Sequence, residues 1–234
     1  MFILPRVAAL FCMSTAALHA EIAVKSGEKI AFLGDSITEG GWGSPKGYVR
    51  LVISGLAAND AKVDAVPAGI SGHKSNQMLE RLERDVLSKK PQWMTLSCGV
   101  NDVWHGKNGV PLEKYQENIT KIVDQAVAAG VKPVVLTATV IHEKLESPEN
   151  QRLAPYNEFL RTLAKEKKVP LADANAMFQE SIQAANKPTE KTLTTDGVHL
   201  NDAGNRLMAR GVLKAFGLDE AQLAKAEAAW GGGK

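Results

Sequence analysis

A three-layer α/β/α sandwich built on a parallel sheet is the fold class this sequence predicts, and three observations predict it. Short apolar runs rich in β-branched residues alternate with amphipathic stretches at helical spacing. Polar, glycine-containing segments follow several of those runs, as at the ends of strands that carry chemistry. Parallel strands joined through helices cross over right-handedly, which places helices on both faces of the sheet and the site at the carboxyl ends of the strands. A chain of 234 residues suits one such domain, which at this size buries roughly three quarters of its unfolded surface. Residues 21–234 are read as that domain.

Taken in order, Lys29-Ile30-Ala31-Phe32-Leu33 reads as a buried strand bounded by Gly34, with a polar, glycine-rich stretch from Asp35 to Gly47 after it. Further strands are expected at Val63 to Val66, Trp93 to Ser97, Val131 to Val140 and Val169 to Leu171. Helices are expected at Tyr48 to Ala58, Asn76 to Leu87, Leu112 to Ala129 and Gln151 to Lys167. In the second of these, Leu79 and Leu82 belong to the face that packs, and the charges of Glu80, Arg81, Glu83 and Arg84 are read as a solvated face. A later helix is expected to open at Asp202, capped by that residue's own carboxylate, and to close at Gly217. The tail from Asp219 to Trp230 is read as a terminal helix.

Composition excludes more than it selects. Hydrophobic residues make up 44% and charged residues 23%, and 28 basic side chains against 26 acidic ones leave a formal charge of +2. The charges are interspersed, with no Lys/Arg block to track a phosphate backbone, so nucleic acid is not an expected partner. Residues 1–20 read as a cleavable signal peptide: Arg6, then the apolar run Val7 to Ala17, then Leu18-His19-Ala20 ahead of the cut. That run is too short to span a bilayer, so no stable membrane insertion is expected, and the mature chain is expected to be secreted or periplasmic. Cys12 follows the bulky Phe11, which disfavours lipid anchoring. Cys98 is then the single mature cysteine, which precludes an internal disulfide and is read as a buried structural thiol.

The chemistry concentrates after the strands. In Gly34-Asp35-Ser36-Ile37-Thr38, a serine at a strand end stands where a nucleophile can be exposed at the top of the sheet, although helix capping alone would also put a serine there. A serine hydroxyl needs a base, and the base needs a group to fix its tautomer. Asp196-Gly197-Val198-His199 can supply both, because three residues of separation on a turn let the Asp196 carboxylate reach the His199 imidazole. Attack on an ester also calls for donors aimed at the developing oxyanion. Gly69-Ile70-Ser71-Gly72 qualifies, its glycine letting the backbone approach a ligand, and so does Gly99-Val100-Asn101-Asp102, with a carboxamide in place.

These four segments, in this order, resemble the sequence blocks of the SGNH hydrolases, also called GDSL-type esterases and lipases, and the likeness covers nearly the whole mature chain. The resemblance implies a flavodoxin-like fold with a five-stranded parallel sheet, no metal and no organic cofactor. It implies Ser36 as nucleophile, Asp196 and His199 as the rest of a triad, and an oxyanion hole made by the Ser36 N–H, the Gly72 N–H and the Asn101 side chain. One departure stands in the second block: the family often has Asn two residues before its first glycine, and this chain has Pro67. The Gly-x-Ser-x-Gly elbow of the α/β-hydrolases is absent.

The expected partner is a small-molecule or saccharide ester. Export, modest hydrophobicity and polar loops at Thr38 to Lys46 and Trp104 to Asn108 favour a small acyl group on a polar alcohol, such as an O-acetylated carbohydrate. The alternatives are a lipase, lysophospholipase or thioesterase acting on longer acyl chains, and a non-catalytic carbohydrate-binding relative. Asp35, Trp42, Trp104 and His105 are substrate-binding candidates beside the blocks. Activity is expected to fall as His199 protonates.

Overall fold

The computed structural model describes residues 21–185 and 191–231. The expected signal peptide at 1–20, with Cys12, lies outside the described residues. Five strands form one parallel sheet: β1 (Lys29–Gly34), β2 (Asp64–Gly69), β3 (Trp93–Ser97), β4 (Lys132–Leu136) and β5 (Leu171–Ala172), in the order β2-β1-β3-β4-β5. This is the flavodoxin-like order, with its switch point between β1 and β3, where the crevice beyond the carboxyl ends of the strands opens. Ile30, Ala31, Phe32 and Leu33 of β1 are fully buried, as an apolar run covered by helices on both faces requires.

The helices are α1 (Ser36–Gly43), α2 (Tyr48–Ala58), α3 (Ser75–Asp85), α4 (Val100–Trp104), α5 (Leu112–Ala128), α6 (Pro148–Lys167), α7 (Ala174–Ala184), α8 (Asp202–Ala215) and α9 (Glu220–Gly231). α2, α8 and α9 pack on one another to form one layer, and α3, α5 and α6 form a second. Among the described residues, no helix is long and apolar enough to cross a membrane.

Several expectations are corrected, each for a local reason. The glycine-rich stretch after β1 is helical from Ser36 to Gly43, because the Asp35 carboxylate accepts the Ile37 N–H at 3.0 Å and caps it. β2 runs to Gly69 and includes Pro67, which an edge strand tolerates because one side of it has no neighbour to receive a ladder bond. The long apolar run at Val131 to Val140 leaves the sheet after Leu136. Beyond it, side-chain amides replace a neighbouring strand: Asn157 brackets Ala138 at 2.8 and 3.0 Å, and Asn175 donates to the Thr139 carbonyl at 2.6 Å. α6 starts at Pro148 rather than Gln151, with Ser147 accepting the Asn150 N–H at 3.2 Å and proline pre-set for the first turn. α7 had no counterpart in the periodicity reading. The cap of α8 is Asn201, whose side chain accepts the Gly204 N–H at 3.0 Å, whereas Asp202 turns outward to Lys46 at 2.6 Å.

The charged face expected on α3 is also revised. Arg81 is 3% exposed, and it reaches across the ends of β1 and β2 instead of into solvent.

Candidate active site

The carboxyl ends of β1, β2 and β3 lead into the three segments that carry Ser36, Gly72 and Asn101, and a loop outside the sheet carries Asp196 and His199. Ser36 is the first residue of α1, set by the Asp35 cap at the point where β1 turns into the helix. Its Oγ lies 3.0 Å from His199 Nε2, and His199 Nδ1 lies 2.6 Å from Asp196 Oδ2. Partial burial raises the Asp196 carboxyl, but bonds from the His199 ring and from the His199 and Val198 amides outweigh it and hold the group down at about 2. An ionised Asp196 draws the Nδ1 proton of His199, which leaves Nε2 as the acceptor facing the Ser36 hydroxyl.

The 192–200 segment is held by a buried carboxylate. Glu143, 5% exposed, accepts the amides of Thr192 at 2.7 Å, Leu193 at 2.8 Å and Thr194 at 2.7 Å, together with the Thr194 hydroxyl at 2.7 Å. That hydroxyl takes the Gly197 N–H at 3.1 Å. Within the turn, Asp196 Oδ1 accepts the Val198 and His199 amides at 3.0 and 2.8 Å, so one carboxylate both shapes the turn and orients the ring. Gly197 has φ +96, and a Cβ there would come within 2.6 Å of the His142 ring; the position admits only glycine. No sequence pattern marked Glu143, because a lone acidic residue after a strand carries no periodic signal.

On the opposite side, the Gly72 amide and the Ser36 amide make no hydrogen bond among the described residues. Gly72 sits in the turn before α3 with φ +75. Gly69, the other glycine of that segment, faces α1: a Cβ there would stand 2.3 Å from the Glu39 nitrogen. Its smallness serves helix–strand packing. Asn101, 5% exposed, points its amide nitrogen at the His73 carbonyl (3.3 Å) and the Asp35 carboxylate (3.4 Å), and its oxygen lies 3.2 Å from His105 Nε2. The two hydrogens of the amide divide between these contacts, so the one on the longer Asp35 contact can be redirected to a stronger acceptor while the other stays on the His73 carbonyl.

The substrate-binding candidates separate. Asp35 is 2% exposed, and its carboxylate faces the protein, capping α1 and approaching Asn101. Trp42 is partly buried against the core, with the Arg50 guanidinium 3.4 Å over its ring. Trp104 is 39% exposed, tilted against His105 and edge-on to His142 at 6.5 Å, which forms an aromatic rim beside Asn101 and Gly197. His142 escaped the sequence reading; its φ of 60 is set by its N–H bond to the Gly197 carbonyl at 2.7 Å. Cys98 is buried, as expected. Burial pushes its thiol up, and it sits 3.4 Å from Asp102 beneath the site.

Comparison with known proteins points the same way. Residues 32–207 match the model of the GDSL-like lipase/acylhydrolase family. The chain is 27% identical to an acetylxylan esterase of Geobacillus stearothermophilus over 84% of this chain and 97% of that one. It is also 27% identical to the isoamyl acetate-hydrolyzing esterase of Saccharomyces cerevisiae, over 81% of this chain and 86% of the other. A crystal structure of an acetyl xylan esterase superposes with a TM-score of 0.75 at 31% identity, over 80% of this chain and 98% of the other.

Proposed function

The chain belongs to the GDSL-like lipase/acylhydrolase family and is a carboxylic ester hydrolase, and from that premise we propose that it removes O-acetyl groups from carbohydrates through an acyl-enzyme on Ser36. The observation that carries the substrate class is the near end-to-end similarity to the acetylxylan esterase of Geobacillus stearothermophilus. A second relative is likewise named for an acetate ester.

In the proposed mechanism, Ser36 Oγ attacks the acetyl carbon while its proton passes to His199 Nε2, 3.0 Å away. Negative charge then develops on the carbonyl oxygen, where the amides of Ser36 and Gly72 and the Asn101 carboxamide supply donors. Collapse of the tetrahedral intermediate breaks the bond to the alcohol, which leaves with the proton held by His199. Water, deprotonated by the same nitrogen, attacks the acetyl-serine, and acetate departs as Ser36 regains its proton. Asp196 stays ionised throughout.

The rim favours a polar leaving group. Among the described residues, the large apolar side chains that stand exposed are Trp104 and Val127, and Trp104 alone of the two adjoins the site. One exposed indole with histidine neighbours suits the face of a sugar ring better than the length of an acyl chain. Export belongs to the same reading, and the charged start, apolar run and small residue at Ala20 support it.

Acetate release from acetylated xylooligosaccharide, measured beside p-nitrophenyl acetate and p-nitrophenyl octanoate, tests the proposal. The expected result is saccharide deacetylation and an acetyl preference over octanoyl of at least about tenfold, the scale on which a pocket discriminates by acyl size. An octanoyl preference without saccharide deacetylation would replace this reading with a lipase or thioesterase.

A further inference from the structure

Each guanidinium N–H of a buried arginine needs a partner, and where the partners lie shows what the side chain holds. Arg81 Nη2 donates to the Gly34 carbonyl at 2.9 Å, and Nη1 donates to the Ala68 carbonyl at 2.9 Å and to Asp85 at 3.2 Å. Nε reaches His73 Nδ1 at 3.1 Å. Gly34 ends β1 and lies two residues before Ser36; Ala68 is one residue from the end of β2; His73 directly follows Gly72. The Gly34 carbonyl also accepts the Ile70 N–H at 3.1 Å, and the His73 carbonyl takes the Asn101 amide at 3.3 Å. One planar group therefore touches the backbone or the anchor of all three donor-bearing segments.

We infer that Arg81 is the positioning residue of the oxyanion hole, fixing the Ser36 and Gly72 amides and the Asn101 carboxamide relative to one another through Gly34, Ala68 and His73. A fork of fixed geometry suits this task, since it spans two strand ends at once and the compact ammonium of lysine does not. A displacement well under 1 Å is enough to weaken donors aimed at a transition state, and its effect falls on kcat because the ground-state carbonyl depends on them less.

The inference rests on the esterase reading of the site, and its test keeps the two apart. Wild type, Ser36→Ala, Arg81→Lys and His73→Leu are compared on p-nitrophenyl acetate for kcat and KM, with inhibition by phenylboronic acid, whose tetrahedral adduct on serine places an oxygen in the hole. Thermal unfolding is followed for each. Arg81→Lys is expected to lower kcat by about 10- to 100-fold with KM within about threefold, and to weaken boronate inhibition by a similar factor. His73→Leu, which removes only the Nε anchor, is expected to shift both in the same direction by about threefold to tenfold, and it serves if Arg81→Lys does not fold. A folded Arg81→Lys with wild-type kcat and inhibition, beside an inactive Ser36→Ala, overturns the inference alone. So does a loss that resides wholly in KM, or an unfolded Arg81→Lys beside an unaltered His73→Leu. Wild-type turnover in Ser36→Ala overturns the esterase reading and this inference with it.

Discussion

Ser36 and His199 meet at 3.0 Å, yet the backbone behind each is anchored by a buried charge of opposite sign. Behind Ser36, parallel strands end in carbonyls, and the cation Arg81 donates to those of Gly34 and Ala68. Behind His199, a loop presents amides, and the Glu143 carboxylate receives those of Thr192, Leu193 and Thr194. The side chains themselves differ as well: those of His199 and Asp196 are 43% and 51% exposed, whereas Asn101 on the opposite side is 5% exposed. The sheet thus supplies a rigid floor for one half of the site, and a single carboxylate supplies it for the other. The His199 loop should therefore be the half that fails first when its anchor is removed.

The largest effect is expected from breaking the His199 half chemically while leaving its anchor, on the proposed role of His199 as the base. Asp196→Asn can still accept the Val198 and His199 amides but no longer selects the Nδ1–H tautomer, so kcat should fall by on the order of 10⁴ with little change in the unfolding temperature. Steady-state kinetics together with thermal unfolding check this, and a loss below about tenfold would remove Asp196 from the triad.

Next comes the anchor itself. Glu143→Gln exchanges a charged acceptor of four bonds for a neutral amide that brings its own donors into the same space. It should cost about 3 kcal/mol and lower the unfolding midpoint by roughly 6 to 12 °C, with activity lost before global unfolding. Unfolding monitored in parallel with activity would show whether the loop goes first; coincident loss of both would contradict the asymmetry.

A pH-dependent effect marks the Ser36 half. Burial, opposed by the Ile37 amide and reinforced by Asp102, pushes the Asp35 carboxyl up to about 6. A raised carboxyl binds protons in the native state that the unfolded chain, near the ordinary value of about 3.9, has already released. Stability should therefore decline as pH rises from about 4 to about 6, by at most about 3 kcal/mol, and then level off. Asp35→Asn, which keeps an acceptor for Ile37, should remove that decline; denaturant titrations at several pH values across the window decide it, and an unaltered slope would show that other groups cause it.

The smallest contrast concerns α8, which follows the base loop directly. Asn201→Ala should cost about 1 to 2 kcal/mol through the lost cap, while Asp202→Ala, an exposed partner of Lys46, should stay within about 0.5 kcal/mol. Equal costs in chemical denaturation would return the cap to Asp202.

Much of this asymmetry was hidden from the sequence for physical reasons. The strand before Ser36 was legible because a sheet buried on both faces demands an unbroken apolar run, and Ile30 to Leu33 provide one. The four blocks were legible because each combines a turn residue with a reactive or donor group, in an order that matches a known family. Arg81 was not, since the charge pattern of α3 reads the same whether a guanidinium faces water or strand carbonyls; only tertiary placement distinguishes them. Glu143 follows a segment taken as continuous strand, whose true end is set by the distant amides of Asn157 and Asn175. Asn201-Asp202 offered two capping residues in succession, and local pattern does not choose between neighbours of equal propensity.

In the proposed mechanism the acyl group is carried on Ser36 Oγ. Treating the protein with a p-nitrophenyl alkylphosphonate and mapping the product by peptide mass spectrometry tests it most directly, because the phosphonyl group forms a stable bond to the attacking oxygen as p-nitrophenol leaves. One p-nitrophenol released per chain, the added mass on the peptide containing Ser36, and no labelling of Ser36→Ala are expected. A label on another residue, or full labelling of Ser36→Ala, would contradict it.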